Sequence, residues 1–339
     1  MRRWPPTLCW GVVLCSGLAL LALAAPWIAP YDPAEQLDPA ASLNRPPGTV
    51  LAAVRLADGS WKLADRAERV PGGLRIERRG RTETFRESEV LNLTPAGVED
   101  HRRFLLGSDR FGRDIWSRML YGARVSLAVG VISVLISLTV GVAVGAAAAM
   151  GGRWLDAVLM RGVDALIAFP WTFLLVTLVA LFRPGNAAMV LLLGLLNWAQ
   201  VSRLTRADLL SLKQREFVLA ARALGQRPWA IFWRHLLPNA FTPVLIQAAL
   251  MIGVIILFES TLSFLGLGIQ PPTPSWGNMV AEGRDTLTYA WWVAVFPGAA
   301  VSLTVIALNL LSDGLRDFLD PHGRDYGPLA EPVLPGEPG

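Results

Sequence analysis

From Glu216 to Pro238 the chain reads EFVLAARALGQRPWAIFWRHLLP. Glu216 to Leu224 are strong helix formers, with Phe217, Ala221 and Leu224 on one stripe. Gly225 follows where a left-handed C-terminal cap is needed, since glycine has no Cβ to clash there. Pro228 stands where a first helical turn tolerates a missing N–H, and Pro238 closes the second helix. The punctuation predicts two short helices joined at an angle by a Gly-x-x-Pro elbow. The same punctuation also describes an ordinary hairpin between two membrane spans.

Around this loop the composition is that of an integral membrane protein. Of 339 residues, 53% are hydrophobic and 17% charged, and the mean hydropathy is +0.42. The net charge is +4. About half of the Lys and Arg lie between Arg45 and Arg118, interleaved with acids, so no one-sided basic field exists and nucleic acid is a poor partner. Cys9 and Cys15 fall in the first apolar run on different helix faces and supply no disulfide framework. His101, His235 and His322 have no second ligand type at useful spacing, so neither a metal nor a cofactor is expected.

The apolar runs fall in order along the chain. Arg2 and Arg3 precede a run from about Leu8 to Ile28, long enough to cross a bilayer at about 1.5 Å per residue. Ala22-Leu23-Ala24 before Pro26 imitates a signal-peptidase site, but the run continues past it, and an uncleaved first span is expected. The second span covers about Val125 to Ala148, where Gly130, Gly141 and Gly145 allow close helix approach. The third covers about Leu159 to Phe182 and the fourth about Ala188 to Val201. The fifth covers about Pro243 to Leu265. The sixth covers about Ala290 to Leu311, with a kink at Pro297.

Asp164 in the third span and Glu259 in the fifth are intramembrane acids, which are costly and face a bundle interior or a cavity. Each is a candidate pathway residue. For Asp164 the preferred alternative is a structural carboxylate near the membrane surface, paired with Arg161.

Tyr31 to Asn44 is a Pro- and Ala-rich extended exit segment. From Thr49 to about Asn92 the pattern turns to β. Val54-Arg55-Leu56-Ala57 and Trp61-Lys62-Leu63 alternate around Asp58-Gly59, a strong hairpin signal. Leu74-Arg75-Ile76-Glu77 and Thr82-Glu83-Thr84-Phe85 alternate around Arg79-Gly80, a weaker one. The expected division is a first span and exit segment over 1–44, a β-rich insertion outside the membrane over 45–100, and a helical core over 101–320. That core contains the loop at 202–240, and a disordered tail follows at 321–339.

Phe104 to Leu127 reads FLLGSDRFGRDIWSRMLYGARVSL, a glycine turn and then a helix with Asp114 and Arg118 at i,i+4. Glu259 to Val280 reads ESTLSFLGLGIQPPTPSWGNMV, in which Gly266, Gly268, Pro271, Pro272 and Pro274 end the fifth span in a rigid turn.

These stretches together resemble one family. Glu216, Ala220, Ala221, Gly225, Ile231, Leu237 and Pro238 match the "EAA" loop of ABC importer permeases, E-x-x-x-A-A-x-x-x-G with a terminal L-P. The 104–118 segment resembles L-G-T-D-x-x-G-R-D-x-x-S-R, the signature of one permease subunit type of the dipeptide, oligopeptide and nickel importers. Ser108 replaces the usual Thr and keeps the hydroxyl. Glu259 to Val280, and Asp313-Gly314-Leu315-Arg316-Asp317 with Asp320-Pro321, are similar to the same family.

The resemblance covers nearly all of the chain outside the insertion. It implies an all-α polytopic membrane protein of the type I importer fold, with six transmembrane helices and a small β-rich extracytoplasmic insertion. It implies a permease subunit, not an enzyme, that moves peptides or a related small solute across the bacterial inner membrane by alternating access. The implied partners are cytoplasmic P-loop ATPase subunits docking on the Glu216–Pro238 loop, a second homologous permease, and an extracytoplasmic solute-binding protein.

The chain has no P-loop of its own: its only lysines, Lys62 and Lys213, follow Trp and Leu. With six spans, Arg2, Arg3, Arg153, Arg161 and the basic residues of the 202–240 loop share one side, which places both termini in the cytoplasm. The Arg-rich 45–118 segment falls opposite, and it exceeds the loops of about 60 residues to which the charge rule applies. A membrane-embedded enzyme with a sensor-like insertion is the rival from another class, but H-E-x-x-H, G-x-S-x-G and Cys/His clusters are absent. An ion-driven secondary transporter fits Asp164 and Glu259 and leaves the central loop unexplained.

Overall fold

The computed structural model describes residues 5–94 and 97–319. Arg2, Arg3, Asp320, Pro321 and the 321–339 tail lie outside the described residues. The first described helix is α1 (Pro6–Ile28), which the chain leaves through an extended segment holding the one-turn α2 (Pro39–Ser42). A β-rich unit follows, and then the helices of the core.

The β unit contains β1 (Thr49–Arg55), β2 (Trp61–Ala64), β3 (Arg66–Val70), β4 (Gly73–Arg78), β5 (Arg81–Arg86), β6 (Leu93–Thr94), β7 (Gly97–Val98) and β8 (His101–Phe104). They form sheets ordered β2-β1-β8 and β3-β4-β5 and a β6-β7 pair. Both predicted hairpins are present, with Arg55 opposite Trp61 and Arg78 opposite Arg81. The signal read as weaker is a two-residue turn with φ of 49° at Arg79 and 78° at Gly80, the left-handed pair that matches strand twist. The first sheet takes its third strand from His101–Phe104, beyond the stretch marked out by alternation.

Leu51, Ala53, Leu63 and Phe104 pack on Leu37 and Ala41 of the exit segment. A buried ion pair ties the same two parts together: Arg78 Nη2 lies 2.6 Å from Asp38 Oδ2, which also accepts the Leu63 N–H at 2.7 Å. The exit segment is therefore part of this unit's core.

The helical core is built on α3 (Ile115–Met150), 36 residues long. After it come α4 (Gly152–Ala168), α5 (Trp171–Phe182) and α6 (Asn186–Leu212). The elbow helices α7 (Glu216–Ala223) and α8 (Pro228–Ile231) lead into α9 (Leu237–Phe264), followed by α10 (Trp276–Gly283) and α11 (Trp292–Leu319). Small residues let α3 and α6 approach as expected: a Cβ on Gly141 would lie 2.5 Å from Val201 Cβ, and one on Gly145 2.5 Å from Ser202 O. Ser133 and Ser137 donate across this interface to Val190 O (2.9 Å) and Gly194 O (2.7 Å). At the α1–α11 crossing, Gly11 and Gly314 bring the two backbones together so closely that a Cβ on either would overlap the opposing chain.

Among the described residues, five helices are long and apolar enough to cross a membrane, or six candidates if α4 and α5 count as one span. The expected third span is not straight: α4 and α5 are bent by 76°. Pro170 has no N–H to continue the ladder and holds Phe169 extended, with φ −83° and ψ 130°. The expectation for Pro238 is also corrected, because it does not close the second elbow helix. α8 runs through a single π turn, Phe232–Leu236, into α9, where Leu237 N–H bonds to Phe232 O five residues back. That wider turn accommodates Pro238 in the first turn of α9.

Candidate functional site

The elbow forms by the mechanism its residues predict. Gly225 has φ +76°, Gln226 N–H bonds to Ala221 O at 3.1 Å, and Gly225 N–H bonds to Arg222 O at 2.9 Å. This pair of bonds satisfies the last carbonyls of α7 in a Schellman cap. Arg227 is extended, and Pro228 opens α8.

The two faces of α7 differ from the predicted stripe. Val218 and Ala221 are buried against Ala149, Leu209, Ile231 and Leu236. Phe217 and Leu224, placed on the same stripe by spacing, are exposed, as are Glu216 and Ala220. α7 is too short for one stripe to satisfy both ends: Val218 and Ala221 fill the i,i+3 contact, and Phe217 leans toward His235, 6.4 Å away. Among the matched residues, Ala221 and Ile231 therefore hold the elbow to the core, and Leu237 is partly buried. Glu216, Ala220, Gly225 and Pro238 face outward.

Lys213, just past α6, bonds to Ala149 O and shares a cavity of about 220 Å³ with Arg222, Gln226 and Pro228. Burial and the neighbouring Arg222 hold its ammonium below the usual lysine range.

At the opposite end of α3, the signature residues form a buried charge cluster. Asp109 Oδ1 accepts the N–H groups of Phe111 (2.8 Å) and Arg113 (3.0 Å), and its Oδ2 meets Arg113 Nε at 2.6 Å. Arg113 and Arg118 converge on Glu282 of α10, at 2.6 and 3.0 Å. Arg118 is only 1% exposed. The expected Asp114–Arg118 pair is not made. Asp114 instead caps α3, accepting from Ser117 N (2.7 Å) and Ser117 Oγ (2.8 Å), the standard role of an Asp immediately before a helix. Burial pushes its carboxyl up to about 6.

Ser108 shows why a hydroxyl is kept at the Ser/Thr position: its Oγ accepts Arg45 N–H at 2.8 Å and donates to Ser42 O. Trp292 Nε1 then donates to Ser108 O at 3.1 Å, fixing this turn to α11. Sequence reasoning missed Glu282, which lies 164 residues from Arg118. Only the surplus of arginine over acid in the signature hinted at a distant carboxylate.

The two membrane acids have different surroundings. Glu259 is fully buried, and its Oε1 accepts from Ser263 Oγ (2.8 Å) and from Ser275 Oγ (2.9 Å), while Oε2 has no partner among the described residues. Ser275 caps α10, so Glu259 anchors α10 to α9. Asp164 is 58% exposed and lies 3.9 Å from Arg203 of α6, in place of the expected Arg161.

The helical core thus carries a Gly elbow exposed between two of its candidate spans. Residues 116–325 match the family described as binding-protein-dependent transport system inner membrane component. The chain belongs to this family and is a permease subunit of an ABC importer. It is 36% identical to the di/tripeptide transport system permease protein DppC of Pseudomonas aeruginosa, over 92% of this chain and 86% of that protein. It is 42% identical to a putative peptide transport system permease of Brucella suis, over 68% and 76% of the two chains. Identity to the glutathione transport system permease protein GsiD of Pectobacterium atrosepticum is 43%, over 70% and 78%. A solved MetNI methionine ABC transporter in an inward-facing conformation covers 59% of this chain and 97% of its own, at 19% identity and a TM-score of 0.47.

Proposed function

We propose that this permease moves peptides, or a solute of similar size and polarity, through the bacterial inner membrane as half of a pair of homologous permeases. The names of its relatives support the substrate class. ATP hydrolysis resides on cytoplasmic P-loop subunits, and an extracytoplasmic binding protein delivers the solute. Both termini are cytoplasmic, and the β-rich 45–100 region is an extracytoplasmic insertion. Nucleotide-driven closure of the ATPase pair pushes on the Glu216–Pro238 elbow and rocks the helices between outward and inward access.

The observation that carries this reading is the elbow's outer surface. Glu216, Phe217, Ala220 and Leu224 are exposed on a helix whose other side is packed into the core. An apolar surface of this kind, beside small residues, suits close contact with another protein.

Orientation is tested with single cysteines at Ser60 and Gln226, in a background lacking Cys9 and Cys15. In intact spheroplasts an impermeant thiol reagent should label the first and spare the second. Labelling of Gln226→Cys from outside would place the elbow out of reach of any cytoplasmic ATPase and sink the proposal.

A further inference from the structure

Along the second half of α3, opposite α8 and the start of α9, runs an apolar groove with a cavity of about 610 Å³. Leu135, Val142 and Met150 form one wall, and Trp229, Trp233 and Phe241 the other. The hydroxyl in the groove, Thr139, already bonds to Leu135 O at 2.7 Å. The groove therefore offers almost nothing to a polar ligand.

Its dimensions select among apolar occupants. From Leu135 to Met150 the helix rises about 22 Å, while one leaflet of hydrocarbon is about 15 Å deep. The groove thus spans a leaflet and reaches the headgroups. Dividing the 610 Å³ by this length gives a cross-section of about 28 Å². That cross-section suits a single hydrocarbon chain lying along the groove, whereas a partner helix would have to lie across its open side.

The elbow end carries the marks of a membrane surface. Trp229 and Trp233 are 67% and 51% exposed and meet edge to face at 5.5 Å, as interfacial indoles do. Arg227 and Arg234 flank them in sequence, and Arg153 follows the Met150 end of α3. All three are exposed, and none forms an ion pair among the described residues. Exposed guanidinium groups without an ion pair suit lipid phosphate.

We propose that the groove holds one acyl chain of an anionic phospholipid whose phosphate sits on the Arg153, Arg227 and Arg234 rim. The assignment to the cytoplasmic leaflet rests on the proposed orientation. Because one wall is the helix leaving the elbow, an occupied groove supports that helix from the membrane side.

The test is native mass spectrometry of the assembled transporter titrated with palmitoyl-oleoyl phosphatidylglycerol or the matching phosphatidylcholine. Ala143 and Ala147 are exposed one turn apart in the groove, so Ala143→Phe with Ala147→Phe fills it without entering the core. Wild type should retain phosphatidylglycerol over phosphatidylcholine, and the filled variant should lose at least tenfold in that retention. Arg227→Gln with Arg234→Gln should remove the headgroup preference while a lipid is still retained. Undiminished phosphatidylglycerol retention in the filled variant overturns the proposal. So does a disulfide from Ala147→Cys to the other permease, which would mean that protein covers the groove. Loss of ATPase association with lipid retention intact would sink the coupling reading and leave the lipid site standing.

Discussion

Ala220 and Ala221 are adjacent and face opposite ways, so they separate docking from folding. Ala221 is 5% exposed and packed among Val218, Ile231 and Leu236. Ala221→Val adds two methyl groups to a filled space, an overpacking that costs about 1–3 kcal/mol. Ala220 touches no such cluster, and Ala220→Trp should change the stability of the subunit by no more than about 0.5 kcal/mol. If the outer face of α7 docks on an ATPase, however, an indole at Ala220 holds the surfaces apart. Loss of even one close-packed contact of about 1.4 kcal/mol weakens association tenfold. The assays are the unfolding midpoint in detergent, ATPase co-purification, and solute-stimulated hydrolysis in vesicles. Ala221→Val should lower the midpoint, and Ala220→Trp should leave it unchanged and abolish co-purification. Wild-type association and turnover in Ala220→Trp would refute docking through this face.

Other consequences follow from the same structure. A Cβ on Gly225 meets no atom within 4 Å, so Gly225→Val should act through the left-handed backbone alone, at about 1–2 kcal/mol; Gly225→Asn should recover most of the lost hydrolysis, and equal loss in both would point to a contact instead. The Asp114 carboxyl is raised from 3.8 to about 6 by burial, so the folded state holds its proton more tightly. Its stabilising contribution, about 3 kcal/mol, is present below about pH 4 and is lost as the pH rises through about 6. Asp114→Asn keeps a cap acceptor and should flatten the fall in thermal stability between those values, and an unchanged slope would count against a raised carboxyl. Arg78→Ala strands the buried Asp38 carboxylate, a change worth about 3–5 kcal/mol; limited proteolysis should then cut the β unit while the helical core stays assembled, and unaltered resistance would show that the pair is not needed.

What was legible in the sequence was what local chemistry decides. Gly225 and Pro228 determine the elbow through backbone sterics that act within a few residues, and Arg79-Gly80 determines its hairpin in the same way. Long apolar runs located the spans, although hydropathy alone hid the break at Phe169–Pro170. The proline was visible there, but the continuous apolar run masked its effect. Pairings across the fold were not readable. Arg118 finds Glu282 and Asp164 finds Arg203 because of how helices pack, and spacing within one helix pointed instead to Asp114 and Arg161. The orientation of α7 failed for a related reason: eight residues do not define a stripe, and the core behind Val218 and Ala221 chooses the face.

One rod joins the elbow to the charge cluster at the far end of the core. Pro228 to Phe264 is a 37-residue helical run, roughly 55 Å long. Its far end is clamped, because Glu259 bonds to Ser275, which caps α10, and α10 carries Glu282 to Arg113 and Arg118 at the start of α3. Those contacts are buried, so losing them costs hydrogen bonds and ion pairs that water cannot readily replace. α3 then returns to the elbow, where Ala149 O accepts from Lys213. The near end is softer. The regular ladder is interrupted at the π turn Phe232–Leu236 and again at Pro243. These two points are therefore where the run can bend between the elbow and Glu259, which is tied through Ser275 and α10 to the head of α3.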